Sequence, residues 1–265
     1  SIFVDSHISD ENLEKLAGKG LQRILLRCTG YNMLSVEKAK ALGIQVYRVA
    51  HYSPESIAEF TFSLILSLAR KHVTERKKHE KLQNGRTIES LGFTLKGKTL
   101  GLQGYGAIAR DVAEIAREGF KMNILYFDPF VKESYKDTKV DSLEELYALS
   151  NIVSVHVPLV NSTRESVNKD VLSNVKDDFM LINTSRGMVL NSQDIIEFLK
   201  NGKLSFLGVD VWGSDDHFSS DLLRRNVFQT DHVAFYTEEA VKSILEQTLK
   251  SLHSNPASDN ELSIN

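Results

Sequence analysis

Apolar positions along the chain alternate between short β-type runs and stretches of helical period. Residues 2–4, 22–27 and 45–49 read as strands, with a helix over 35–42 between the last two. Ile57, Phe60, Leu64 and Leu68 repeat at helical spacing behind Ser53-Pro54. There Ser53 is the expected N-cap and Pro54 the first helical residue. A second series follows Gly92: strands at 99–103, 123–127, 152–157, 179–183, 206–211 and 227–230, interleaved with helices at 108–118, 143–149 and 192–201. A closing helix is predicted over 238–252, and the polar tail 254–265, with Pro256, is expected to be disordered. Strands alternating with helices in this way predict parallel βαβ units rather than a sandwich or a bundle.

Helix 53–70 is apolar on more than one side, with Phe60, Phe62, Leu64, Ile65, Leu66 and Leu68. A helix apolar nearly all round must be covered, and a second copy of the chain is the expected cover.

Composition narrows the function classes. The 265 residues are 42% hydrophobic and 25% charged with net charge −3, an ordinary globular balance without a field to attract nucleic acid or anionic lipid. The basic stretch 70–81 has no interleaved aromatics and reads as a solvated helix face. The apolar run 60–69 is about half the ~20 residues a bilayer requires, and no secretory signal opens the chain. Cys28 is the single cysteine, so no internal disulfide forms and a reducing, cytoplasmic setting is expected. No Cys/His/Asp/Glu group has metal-ligand spacing, and His7, His72 and His79 carry no spacing signal.

The strongest local motif is Gly101-Leu-Gln-Gly104-Tyr-Gly106-Ala-Ile-Ala109, between a predicted strand and a predicted helix. That is where a dinucleotide-binding turn belongs. Gly104 permits the tight turn, Gly106 lets the backbone approach a pyrophosphate, and Ala109 is small enough for helix–strand packing. Asp128 ends the next strand about 20 residues on, where a carboxylate binds ribose hydroxyls and repels a 2′-phosphate. The expected cofactor is NAD.

Further segments share one order and spacing: Arg27-Cys-Thr-Gly30-Tyr31-Asn32, Tyr52-Ser-Pro-Glu-Ser-Ile-Ala-Glu59, Val153-Ser-Val-His156-Val-Pro158-Leu159, Leu181-Ile-Asn-Thr184-Ser-Arg186-Gly187, Gly208-Val-Asp210-Val-Trp212 and Thr230-Asp-His232-Val-Ala-Phe235. Together, over residues 1–252, they resemble the D-2-hydroxyacid dehydrogenases, and the segments at Tyr52 and His232 are most similar to the D-lactate dehydrogenase branch. The resemblance implies a Rossmann-type doubly wound parallel sheet (53–236). It also implies a smaller, incomplete flavodoxin-like α/β substrate domain from 1–52 and 237–265. It implies hydride transfer between NAD(H) and a small 2-hydroxy or 2-oxo acid such as D-lactate or pyruvate, in a homodimer.

Roles carried by the resemblance are specific. Arg186 would hold the substrate carboxylate, for which a planar guanidinium fork is suited. His232 would exchange the proton, with an ordinary pKa of about 6.5 that makes both states accessible. Gly104, Gly106, Ala107, Ile108, Asp128, Pro158, Thr184 and Asp210 would contact NAD, Asp210 at the carboxamide. Backbone at Gly30 and Tyr31 would meet the substrate carboxylate, Tyr52 and Phe235 would wall the pocket, and His156 is expected to serve packing.

The chain departs from the family in two places. The glutamate that orients the family's histidine is replaced by Asp215, followed by Asp216, in a shortened loop over 212–222. The chain also begins at Ser1 without counterparts of roughly two βα units, on the order of 50 to 60 residues. These departures leave a second expectation open, an NAD-binding homologue that has lost catalysis and acts as a sensor or interaction protein.

Overall fold

A computed structural model describes residues 1–2, 6–49, 52–72, 85–132, 136–213 and 227–253. The chain divides into two compact units, Ser1–Ser53 with Tyr236–Asn265, and Pro54–Phe235.

The first unit contains α1 (Asp10–Gly18), β1 (Arg23–Leu26), α2 (Val36–Ala41), β2 (Gln45–Arg48) and the C-terminal helix Glu238–His253. Strands β1 and β2 pair in parallel, and Ile2 adds a parallel bridge to Leu26. Strand alternation sends Ile24, Leu26 and Val46 to one face with Leu13, Ala39 and Ile44, while Leu25 and Tyr47 occupy the other. The sequence pattern does not predict α1, although Ser9 caps it by accepting the Asn12 amide. Of the predicted strand 2–4, only Ile2 is described.

The second unit is a seven-stranded parallel sheet. Its strands are β3 (Thr99–Gln103), β4 (Asn123–Phe127), β5 (Thr138–Lys139), β6 (Ile152–Val155), β7 (Met180–Asn183), β8 (Phe206–Val209) and β9 (Val227–Gln229). The order is β5-β4-β3-β6-β7-β8-β9. The chain moves outward one way from β3 to β5, then returns to place β6 on the other flank of β3. That reversal is the switch point where doubly wound sheets bind nucleotides.

Helices α3 (Pro54–Ala69), α4 (Ala107–Glu114), α5 (Leu143–Leu149), α6 (Lys169–Leu172) and α7 (Ser192–Lys200) cover the sheet. On one face Leu100, Leu102, Ile124, Tyr126 and Ile182 pack with α3 and α4. On the other, Val153, Val155, Leu181, Leu207 and Val209 pack with α5, α6 and α7. Every residue of β6, β7 and β8 is buried, which is why these strands read as largely apolar runs, interrupted only by Ser154 in β6 and Asn183 at the end of β7.

Two expectations need correction. Most of the apolar surface of α3 is covered within its own unit: Phe62, Leu64, Ile65 and Leu68 join the core beside α4 and the sheet, while Phe60 and Leu66 are partly buried. Gly208 permits this approach, since a Cβ there would stand 3.2 Å from Leu64 Cβ. Ser53 has φ 42°, outside the extended region an N-cap uses. The predicted helix 108–118 begins at Ala107 and ends at Glu114, where Ile115–Gly119 widens into a π turn.

Candidate active site

The glycine turn joins β3 to α4 at the switch point. Gly104 has φ +90°, and a Cβ there would lie 2.8 Å from the His156 carbonyl oxygen on the loop after β6. Any larger residue would force β3 and β6 apart at their ends. Gly106 differs: its φ is −76°, and a Cβ there would meet nothing within 4 Å, so it faces open space. It is the N-cap of α4 without a side-chain cap, which leaves the first-turn amides available to an anion. Ala107 is exposed, Ile108 half-buried and Ala109 fully buried, so the open side of the turn lies at Gly106-Ala107.

Asp128 follows β4. Its Oδ1 accepts the amides of Phe130 (2.8 Å) and Val131 (3.1 Å), and its Oδ2 accepts the Tyr105 amide (2.9 Å). Each carboxylate oxygen has two acceptor positions, so Oδ2 keeps one for a hydroxyl. These features fit a dinucleotide: open backbone amides for phosphate and a fixed carboxylate for ribose.

Farther along the same sheet edge, three consecutive strands end in candidate chemistry. Arg186 follows β7, Asp210 follows β8 and His232 follows β9. Backbone hydrogen bonds tie the three ends together: the Asp210 amide donates to the Asn183 carbonyl (3.0 Å), and the His232 amide donates to the Asp210 carbonyl (2.7 Å).

The Arg186 loop is built by Asn183, a fully buried residue whose role the sequence did not reveal. Its Oδ1 accepts the Ser185 amide and hydroxyl, and its Nδ2 donates to the Arg186 carbonyl. Gly187 packs backbone to backbone on Trp212-Gly213, where a Cβ would come within 2.4 Å of Trp212 C. Arg186 itself is half-buried, and Nη1 donates to the Ser185 carbonyl (2.7 Å).

Asp210 is 1% exposed, and its carboxylate gathers the 230–234 turn. Oδ1 accepts the Thr230 hydroxyl (2.6 Å) and the Val233 amide (2.9 Å), while Oδ2 accepts the Ala234 amide (2.9 Å). His232 sits inside this wrapped turn with φ 55°, the left-handed region that non-glycine residues rarely adopt. Phe235 meets the imidazole edge-on, ring centroids 5.9 Å apart. By lone-pair count, Asp210 Oδ2 retains one acceptor position for an outside amide.

The remaining predicted residues are placed less tightly. Thr184 is buried, with its hydroxyl 3.3 Å from that of Thr61 on α3. Pro158 is exposed, and its carbonyl accepts the Thr163 hydroxyl. Gly30, Tyr31 and Tyr52 belong to the first unit. There the Gly30 carbonyl accepts the Cys28 thiol, and the Arg48 guanidinium stands 5.8 Å from the Tyr31 ring centroid. Asp215 and Asp216 lie outside the described residues, as does most of the basic stretch 70–81. His156 hydrogen-bonds Ser154 Oγ (2.9 Å), and desolvation lowers its pKa to about 4, which makes it neutral at physiological pH and unlike a working base. Among the described residues there is no cluster that could hold a metal ion, and no helix is long and apolar enough to cross a membrane.

A parallel sheet with this strand order, a glycine turn at its switch point and a carboxylate after the next strand defines a Rossmann-type dinucleotide-binding domain. Residues 62–234 match the family model described as D-isomer specific 2-hydroxyacid dehydrogenase, NAD binding domain. A 2-hydroxyacid dehydrogenase homolog of Haemophilus influenzae is 37% identical over 95% of this chain and 81% of its own length. The D-lactate dehydrogenase of Escherichia coli is 36% identical over 95% and 81%. The crystal structure of D-lactate dehydrogenase from Aquifex aeolicus, complexed with NAD and lactic acid, superposes with TM-score 0.83 at 31% identity, covering 94% of this chain and 80% of that one. The chain belongs to the D-isomer specific 2-hydroxyacid dehydrogenase family, in its D-lactate dehydrogenase branch, and is an NAD-dependent enzyme of that class.

Proposed function

We propose that this chain reduces pyruvate or a similarly small 2-oxo acid with NADH, and oxidises the corresponding D-2-hydroxy acid in reverse. The supporting observation is the linked edge of β7, β8 and β9, where backbone hydrogen bonds hold the loops of Arg186, Asp210 and His232 in one register. Bound NAD(H) supplies the hydride acceptor or donor at its nicotinamide ring. Arg186 pairs its guanidinium with the substrate carboxylate and polarises the neighbouring carbonyl. His232 gives a proton to the carbonyl oxygen as reduction proceeds and removes it in the oxidative direction. Asp210 fixes the His232 turn and offers its last Oδ2 acceptor position to the carboxamide. The glycine turn and Asp128 hold the pyrophosphate and the ribose.

The test follows NADH absorbance with a panel of 2-oxo acids that includes pyruvate, phenylpyruvate and oxaloacetate. Turnover fastest with pyruvate supports the proposal, and no turnover above background with any acid removes it. A second reading, an NAD-binding homologue without catalysis, is favoured by Asp215 at the family's glutamate position. It predicts NADH binding without turnover, and no gain from Asp215→Glu.

The assembly is proposed to be a homodimer in the cytoplasm. Ile88 (90% exposed) and Leu91 (74%) on the segment before β3 support association, and the single cysteine fits a reducing compartment. A light-scattering mass of one chain across a wide concentration range would refute the dimer.

A further inference from the structure

The glycine turn carries a large side chain, Tyr105, that the cofactor chemistry leaves unexplained. It is 5% exposed, and its ring stacks on Tyr126 of β4 with centroids 4.0 Å apart. The Arg110 guanidinium lies 5.6 Å from the same ring. Its phenol donates to Oδ2 of Asp137, the residue just before β5. The Asp137 side chain is 2% exposed, and its Oδ1 pairs with Arg117 Nη1 at 2.5 Å. Arg117 belongs to the π turn that closes α4. The Tyr105 amide meanwhile donates to Asp128 Oδ2.

One buried carboxylate thus ties the turn before α4 and the turn after α4 to the outer edge of the sheet. A buried carboxylate must be compensated, and here a guanidinium and a phenol do so from opposite ends of one helix.

We propose that Tyr105, Asp137 and Arg117 form a positioning device for the dinucleotide. The Tyr105 side chain anchors the turn whose free amides face the pyrophosphate, while its amide fixes the carboxylate assigned to the ribose. The three residues act on cofactor affinity and leave hydride and proton transfer unaltered. The proposal rests on the NAD assignment of this turn.

Two variants test it. Tyr105→Phe retains the ring and its stacking but removes the phenol donor, and Asp137→Asn retains an acceptor but removes the charge opposite Arg117. NADH affinity is read by fluorescence titration, and kcat at saturating NADH by absorbance. Amide hydrogen exchange over residues 104–110 is measured in the cofactor-free protein. The expected result for Tyr105→Phe is an NADH Kd raised about tenfold, the scale of one charge-assisted hydrogen bond. With it, kcat should stay within about twofold and exchange across the turn should be faster. Asp137→Asn should move the same readouts in the same direction.

Kd within about twofold of the native value in both folded variants would overturn the proposal. So would a fall in kcat with Kd unchanged, or unchanged exchange across the turn. Native protein that fails to bind NADH would sink the cofactor assignment instead, and the exchange comparison would still judge the anchoring.

Discussion

The main-chain carbonyl of Asp210 accepts the amide of His232 at 2.7 Å, while the Asp210 carboxylate binds the residues on both sides of that histidine. The backbone of His232 is thereby held left-handed, a conformation that costs roughly 1–2 kcal/mol for a residue with a Cβ. Asp210 is the group that sustains it. In Asp210→Ala the Ala234 amide loses its acceptor in a buried site and the Val233 amide in a partly buried one. Stability should fall by about 2–4 kcal/mol, and kcat/KM for pyruvate by about 10²-fold or more. Thermal melts and steady-state kinetics on the same preparation check both.

Gly104 and Gly106 stand two residues apart in one turn and should fail differently. Gly104→Ala adds a methyl 2.8 Å from a backbone oxygen at φ +90°, so the protein should lose about 2 kcal/mol or more. Gly106→Ala meets open space, so the melting temperature should hold within about 2 °C. Its NADH Kd should rise about tenfold or more, because the methyl intrudes where the pyrophosphate approaches. Melting curves and NADH titrations separate the two.

Arg186→Lys conserves charge and discards the planar fork. The expected loss is about 10²- to 10³-fold in kcat/KM for the 2-oxo acid, with NADH Kd within about twofold. Equal kinetics for the two residues would mean that Arg186 does not pair with the substrate carboxylate.

His156 gives a pH signature in stability. Desolvation lowers its folded-state pKa to about 4, against an ordinary 6.5. The unfolded chain therefore binds the extra proton first as pH falls. The contribution of His156 is fully present above pH 6.5 and is lost between 6.5 and 4, at about 1.4 kcal/mol per pH unit and about 3 kcal/mol in all. Denaturant unfolding at pH 7.5 and pH 4.5 should show a smaller acid loss for His156→Gln than for the native chain. An identical acid loss in both would contradict the assignment.

The parts of this fold that were legible in the sequence are those where backbone geometry and chemistry coincide. The turn at Gly104-Tyr-Gly106 and the acidic end of β4 at Asp128 are such places, because glycine and carboxylate have few other reasons to stand there. The runs of β6, β7 and β8 were legible because parallel strands buried on both faces keep mostly apolar positions. Harder features depend on partners distant in sequence. Asn183 looks like one more polar residue until its side chain is seen building the Arg186 loop. Tyr105 reads as a space-filling aromatic, since Asp137 and Arg117 lie 32 and 20 residues from their partners in the network.

Helix α3 shows the reverse problem. Its apolar surface correctly signals burial but does not name the cover, and α4 together with the close approach at Gly208 of β8 supplies it within the unit for Phe62, Leu64, Ile65 and Leu68. Strand β5 has two residues, too few for any period to register. The short helix α1 did leave a signal, Ser9 three residues ahead of Asn12, but the nine-residue helix lacks an apolar stripe wide enough to stand out.

Replacing His232 by Gln and measuring pyruvate reduction beside NADH binding is the most direct test of the linked β7–β8–β9 edge as the reacting edge. The account predicts that NADH Kd stays within about twofold while kcat drops by about 10³-fold or more, the scale of a lost general acid. Turnover in the variant equal to that of the native chain would contradict it.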